Sequence, residues 1–121
     1  MYDLVEQMHL KFGIPADQSA KNMLFRQVAM TEELAEFGAA VLKGNRHEQL
    51  DALIDLVVFA FGTAQQLGFT EKQFVGAFTE VMRANIEKEL ADPSGSNSKR
   101  GHGLDLVKPE GWTPPNLEPF L

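Results

Sequence analysis

The stretch Leu50-Asp51-Ala52-Leu53-Ile54-Asp55-Leu56-Val57-Val58-Phe59-Ala60-Phe61-Gly62-Thr63-Ala64-Gln65-Gln66-Leu67 decides the fold. Its middle, Leu53 to Phe61, is β-branched and aromatic enough to pass for a buried strand. Length settles the matter, because the apolar pattern continues from Leu50 to Leu67, which suits a helix and overruns a strand. The spacing predicts a helix from about Arg46 to Leu67, with Gly68 as its stop. Such all-round hydrophobicity implies the central helix of a bundle.

Three further helices flank it. About Asp3 to Phe12 places Leu4, Val5, Met8 and Phe12 at helical spacing and stops at Gly13 and Pro15. About Ala20 to Leu42 is rich in Ala, Leu, Met and Glu and ends at Lys43-Gly44-Asn45. A cation there suits the helix end, and Gly tolerates a left-handed cap. The last starts at Thr70, where Gln73 completes a capping box, and runs to about Leu90 with Phe74, Phe78, Val81 and Met82 on one face. The expected fold is all-α: a four-helix bundle core over 1–92, a flexible loop over 93–103, and a tail over 104–121 that completes the same domain. The loop is small and polar. The tail, Leu104 to Leu121, holds four of the six prolines and the only tryptophan, and is expected to be extended. No internal repeat is present.

Composition narrows the function. The chain has 121 residues, 44% hydrophobic and 23% charged, which suits one ordinary globular domain. It has no cysteine, so disulfides, zinc–thiolate sites and thiol nucleophiles are excluded. Met1-Tyr2-Asp3 lacks a basic signal region, and no apolar run approaches the ~20 residues of a membrane span, so no membrane association and a cytoplasmic location are expected. Eleven basic against 17 acidic residues give a net charge of −6, a balance that disfavours coating nucleic acid. A small phosphorylated ligand remains compatible if metal ions screen the charge.

Five of the acids fall in two short segments. On the second helix Glu32 and Glu36 are four apart, about 40° in projection, and Glu33 and Glu36 are three apart. Taken alone, this segment also reads as a solvated face. Asp51 and Asp55 repeat the arrangement on the third helix, and Asp55 has apolar neighbours on both sides. A carboxylate there is costly without a partner, yet no Lys or Arg occurs between Asp51 and Gln66. A hard divalent cation would resolve the conflict, since Mg²⁺ takes carboxylate oxygens. Facing helices that each present carboxylates are a recurrent way to build a metal site in a bundle. The histidines, His9, His47 and His102, form no cluster. Glu6-x-x-His9 is half of a di-iron motif that needs two copies, and no second copy exists.

Glu32-Glu33-x-x-Glu36, followed by a helix with Asp51 and Asp55, resembles the ExxE…ExxD signature of the all-α NTP pyrophosphatases. That superfamily includes MazG, dimeric dUTPases and phosphoribosyl-ATP pyrophosphohydrolase. Asp51 to Val57, Phe61 to Ala64 and Leu67-Gly68 are similar to the third helix of small stand-alone, phage-type MazG-like enzymes. Val81-Met82-Arg83-Ala84-Asn85-Ile86-Glu87-Lys88 is similar to their fourth-helix motif, and Leu106 to Trp112 with Pro114-Pro115 is similar to their tail. One departure stands out: the first acid of ExxD falls on Ala52, and Asp51 is the neighbouring acid on nearly the same face.

The resemblance implies cleavage of a (d)NTP between the α- and β-phosphates to (d)NMP and pyrophosphate, with a purine nucleotide such as dGTP as the first substrate to consider. It implies Mg²⁺, with Mn²⁺ able to substitute, held by Glu33, Glu36, Asp51 and Asp55, with Glu32 either completing the ligand set or acting as base. Glu32 and Glu33 are thus the catalytic candidates. Asn85, Lys88 and Lys108 are the expected phosphate contacts, with Arg83 able to join them; Phe12 and Trp112 are candidates to wall the base. Lys99 and Arg100, in the loop, are placed to close over the triphosphate. A homodimer or homotetramer is implied. The rivals are a dUTPase-like or phosphoribosyl-ATP hydrolase of the same superfamily, and a non-catalytic helical oligomerisation or binding module.

Overall fold

The computed structural model describes residues 1–121. Four α-helices carry an all-α core: α1 (Tyr2–Lys11), α2 (Ala20–Lys43), α3 (Arg46–Gln66) and α4 (Glu71–Ile86). Two short strands follow, β1 (Glu89–Leu90) and β2 (Leu106–Val107), and a 3₁₀ turn at Glu118–Phe120 ends the chain. The chain divides into two compact units, Met1–Glu71 and Lys72–Leu121. No single helix is long and apolar enough to cross a membrane.

In the first unit α2 and α3 form an antiparallel hairpin. Ser19 caps α2 by accepting from the Asn22 amide, and Gly44 closes it at φ +65°, the left-handed cap that Lys43-Gly44 predicts. Asn45 then caps α3 by accepting from the Glu48 amide. The turn between the two helices is therefore only two residues long. Small side chains make up the interior: Ala29 and Ala40 on α2, and Ala52, Gly62 and Ala64 on α3, are all buried. Small residues let helix backbones approach closely.

α1 lies against α3 through buried Tyr2, Val5 and His9, with the Tyr2 and Phe61 rings 5.5 Å apart and Gln65 Nε2 donating to the Tyr2 carbonyl at 2.8 Å. Gln66, 2% exposed, ties the α1–α2 connection to α3: its Oε1 accepts from the Asp17 amide at 2.9 Å and from Asn22 Nδ2 at 3.0 Å.

One apolar face of α3 is not buried within the chain. Leu50, Leu53, Ile54 and Val57 form a stripe at i, i+3, i+4, i+7, and each is at least 42% exposed.

In the second unit α4 stops at Ile86, four residues before the expected end near Leu90. The reason is tertiary. The Ala84 carbonyl in the last turn accepts from Trp112 Nε1 at 2.7 Å, and Glu89 and Leu90 pair antiparallel with Val107 and Leu106. The tail thus supplies partners that a longer helix would otherwise have provided for itself. At the other end, the Phe120 ring packs on Gly76, where an added Cβ would stand 2.6 Å from a ring carbon.

Candidate functional site

The antiparallel α2–α3 hairpin brings Glu33, Glu36, Asp51 and Asp55 together. Glu33 is half-buried on the α2 face that meets α3, and Asp55 is half-buried opposite; Glu36 and Asp51 are more exposed beside them. Burial, followed by the charges of Glu36 and Asp55, a hydrogen-bonding contact with Glu36 and the charge of Asp51, pushes the Glu33 carboxyl above its usual range. Its Oε2 atom is buried with no hydrogen-bond partner. None of these acids forms an ion pair with Lys or Arg.

Ala52, which occupies the position of the first acid in the ExxD pattern, is buried at 3% exposure, and Asp51 beside it acts on Glu33 instead. Glu32 sits on the exposed shoulder of α2. These side chains are neighbours rather than a closed cage: no three of them converge as a metal-binding group. The donor chemistry nevertheless fits a hard divalent cation. All donors are carboxylate oxygens, one is buried and unsatisfied, and mutual repulsion has no cation to offset it.

A polar pair that the sequence did not single out lies seven residues along each helix from this set. Arg26 precedes Glu33 by seven and Gly62 follows Asp55 by seven, so the two layers stack on one face. Arg26 is 6% exposed and His9 8%. Arg26 Nη2 is 3.5 Å from His9 Nε2, and Arg26 Nε has no partner. Gly62 makes room for both: an added Cβ would lie 3.0 Å from Arg26 Nη1 and 3.2 Å from His9. Phe12, by contrast, caps the end of α1 at 66% exposure, with the Lys11 ammonium 5.4 Å from its ring centre.

The second unit holds Asn85, Arg83, Lys88, Lys108 and Trp112. The Lys88 ammonium lies 5.4 Å and that of Lys108 4.8 Å from the indole ring centre. Asn85 is half-buried in the last turn of α4. Arg83 has its fork occupied: two bonds of 3.0 Å to Glu80, one of 2.7 Å to Glu87, and longer ones to the Thr113 and Pro114 carbonyls. The Glu80 hydrogen bonds, reinforced by Glu87, raise its pKa further above an already high value. Glu80 also accepts from the Asn116 amide. Arg83 is thereby placed as a clamp between α4 and the tail. A cavity of about 400 Å³ is lined by Lys88, Asn97, Lys99, Arg100, Asp105 and Lys108, together with β2.

A family model described as Phosphoribosyl-ATP pyrophosphohydrolase matches residues 5–85. The matched span contains all five acids and Asn85, and ends before Lys88, Lys108 and Trp112. No curated protein matches the chain.

Proposed function

The chain belongs to the phosphoribosyl-ATP pyrophosphohydrolase family, within the MazG superfamily, and from that premise we propose that it hydrolyses the α–β anhydride of a nucleoside triphosphate or of a phosphoribosylated relative, releasing pyrophosphate and a monophosphate. The observation that carries this reading is Glu33. It is a carboxyl with a buried, unpartnered oxygen, crowded by Glu36, Asp55 and Asp51 and lacking any cationic neighbour. Repulsion of that kind weakens a fold unless a ligand offsets it.

Glu33, Glu36, Asp51 and Asp55 would hold Mg²⁺ or Mn²⁺, and the bound ion would supply charge neutralisation and Lewis acidity. Glu32, on the exposed shoulder beside them, is the group assigned to take the proton of the attacking water. Asn85, Lys88 and Lys108, all in the second unit, are the donors proposed for phosphate oxygens. Arg83 fixes the tail to α4, and Phe12 offers an exposed ring for a base. Trp112 holds the ammonium groups of Lys88 and Lys108 at its ring.

The family match favours phosphoribosyl-ATP over a free purine dNTP such as dGTP as substrate. A self-associated chain, dimer or tetramer, is part of the proposal, because the Leu50, Leu53, Ile54 and Val57 stripe is left uncovered. Pyrophosphate release from phosphoribosyl-ATP, ATP, dUTP and the four common dNTPs, with Mg²⁺ and then Mn²⁺, tests the activity and names the substrate. Release from none of them by folded protein would refute the hydrolase and leave a helical binding module.

A further inference from the structure

We propose that His9 and Arg26 form a proton-sensitive latch: the neutral imidazole holds α1 against the α2–α3 hairpin, and its protonation releases α1 while the hairpin stays folded. The inference concerns the docking of one helix and goes beyond the hydrolase reading, on which it does not depend.

α1 has few holds. Its buried side chains are Tyr2, Val5 and His9, while Leu4, Met8 and Leu10 stand exposed. A helix of 10 residues does not persist alone in water, so its order depends on what it packs against. Two polar anchors secure the first turn: Gln65 Nε2 donates to the Tyr2 carbonyl at 2.8 Å, and the Tyr2 hydroxyl donates to the Phe69 carbonyl. Of the buried residues only His9 lies in the second half of the helix. The hairpin is better provided. It has its own caps at Ser19, Gly44 and Asn45 and its own interior of buried alanines.

The latch is a single contact that a proton reverses. Arg26 Nη2 lies 3.5 Å from His9 Nε2. A guanidinium can only donate, so the imidazole nitrogen must accept; an imidazolium donates from both nitrogens and adds a second positive charge. Donor then faces donor and cation faces cation, with both residues more than nine-tenths buried. The ring has no room to slide aside, because a Cβ on Gly62 would already stand 3.2 Å from it.

No neighbouring element offers a compensating charge. Neither His9 nor Arg26 takes part in an ion pair. α3 presents Gly62 and has no titratable residue from Leu56 to Gln66. On α2 the acid that shares the Arg26 face is Glu33, two turns away, or about 10 Å along the axis. On α1 itself Glu6 is exposed one turn before His9, and Lys11 follows it with a further positive charge. Asp17, in the connection to α2, is occupied by the Ser19 amide at 2.8 Å. Burial and the Arg26 charge accordingly keep the His9 pKa below its ordinary value.

Release relieves more than one strain. It returns the imidazolium to water, and it hydrates Arg26, whose Nε is buried without a partner in the docked state. The docked form is favoured above the unfolded pKa of 6.5 and loses ground as the pH falls through the depressed folded value. Within that window each pH unit weakens docking by up to about tenfold.

Amide hydrogen–deuterium exchange of the metal-free chain at pH 7.5 and 5.0, corrected for the intrinsic pH dependence, reads each helix separately. In the wild type we expect protection over residues 2–11 to fall at least about tenfold at pH 5.0, with protection over 46–66 retained. His9→Gln keeps an acceptor for Arg26 and cannot charge, so its α1 should stay protected at both pH values. Arg26→Gln removes the opposing cation and should shrink the fall. Unchanged α1 protection in the wild type, an equal fall across α1 and α3, or a His9→Gln chain that loses as much as the wild type would each overturn the latch. No turnover is measured, so failure here is distinct from failure of the hydrolase reading, which pyrophosphate release reports.

Discussion

Arg26 Nη2 lies 3.5 Å from His9 Nε2, a guanidinium and an imidazole that meet where both side chains are more than nine-tenths buried. Arg stays charged at any ordinary pH and can only donate, so the contact requires a neutral imidazole with its lone pair on Nε2. Burial first, and the Arg26 charge second, hold the His9 pKa below its unfolded value of 6.5.

The sign of the pH effect follows. Below about 6.5 the unfolded chain takes up a proton that folded His9 resists, so stability falls as the pH drops from 6.5 toward the depressed folded pKa. Urea midpoints at pH 7.5 and 5.5 should show this loss in the wild type and a smaller one in His9→Gln. Equal losses in the two proteins would remove His9 as the cause.

Glu33 titrates with the opposite consequence. Its folded pKa is raised, so its ionised form costs stability once the pH rises through the unfolded value of 4.5. Glu33→Gln should therefore melt higher than wild type in EDTA at neutral pH, and should lose most of the thermal shift expected of the wild type with Mg²⁺ or Mn²⁺. A variant that melts lower in EDTA and keeps its metal shift would contradict the role given to this carboxyl.

Gly62→Ala places a methyl group 3.0 Å from Arg26 Nη1 and 3.2 Å from His9. Both neighbours are buried and have little room to retreat. We expect a loss of about 1–3 kcal/mol by urea denaturation. A neutral outcome would mean that the Arg26–His9 layer repacks freely.

These residues also show what a sequence can and cannot disclose. The helix over 46–66 was legible because its apolar run is longer than any strand, and the acids were legible because Asp55 sits among apolar residues with no cation near it in the chain. The end of α4 was not legible. Lys88 to Leu90 continue a helical pattern locally, and only the tail, through Trp112 and β2, draws them away. Arg26 was hidden as well, because its burial depends on Gly62 and on His9 of another helix. Large exposed side chains at Leu50, Leu53, Ile54 and Val57 made α3 look like the centre of the chain's own core, whereas alanines fill that place. Periodicity identifies an apolar face without saying what covers it.

Arg83→Ala removes the clamp on the tail. Its bonds to Glu80 and to the Thr113 and Pro114 carbonyls flank Trp112, so tryptophan emission should shift to the red and proteolysis of the last residues should accelerate. Unchanged emission and cleavage would show that the Trp112–Ala84 bond holds the tail without help.

On the proposed function, α2 and α3 carry a metal-dependent pyrophosphohydrolase centre. The most direct test is the rate of pyrophosphate release from the best substrate by wild type, Glu36→Gln and Asp55→Asn, with Mg²⁺ present and after chelation. Release by wild type only with the ion is expected, with loss in both variants of at least the roughly 10–100-fold that outer-shell changes cost a metal site and helical content unchanged. Release that survives chelation, or folded variants as active as wild type, would contradict it.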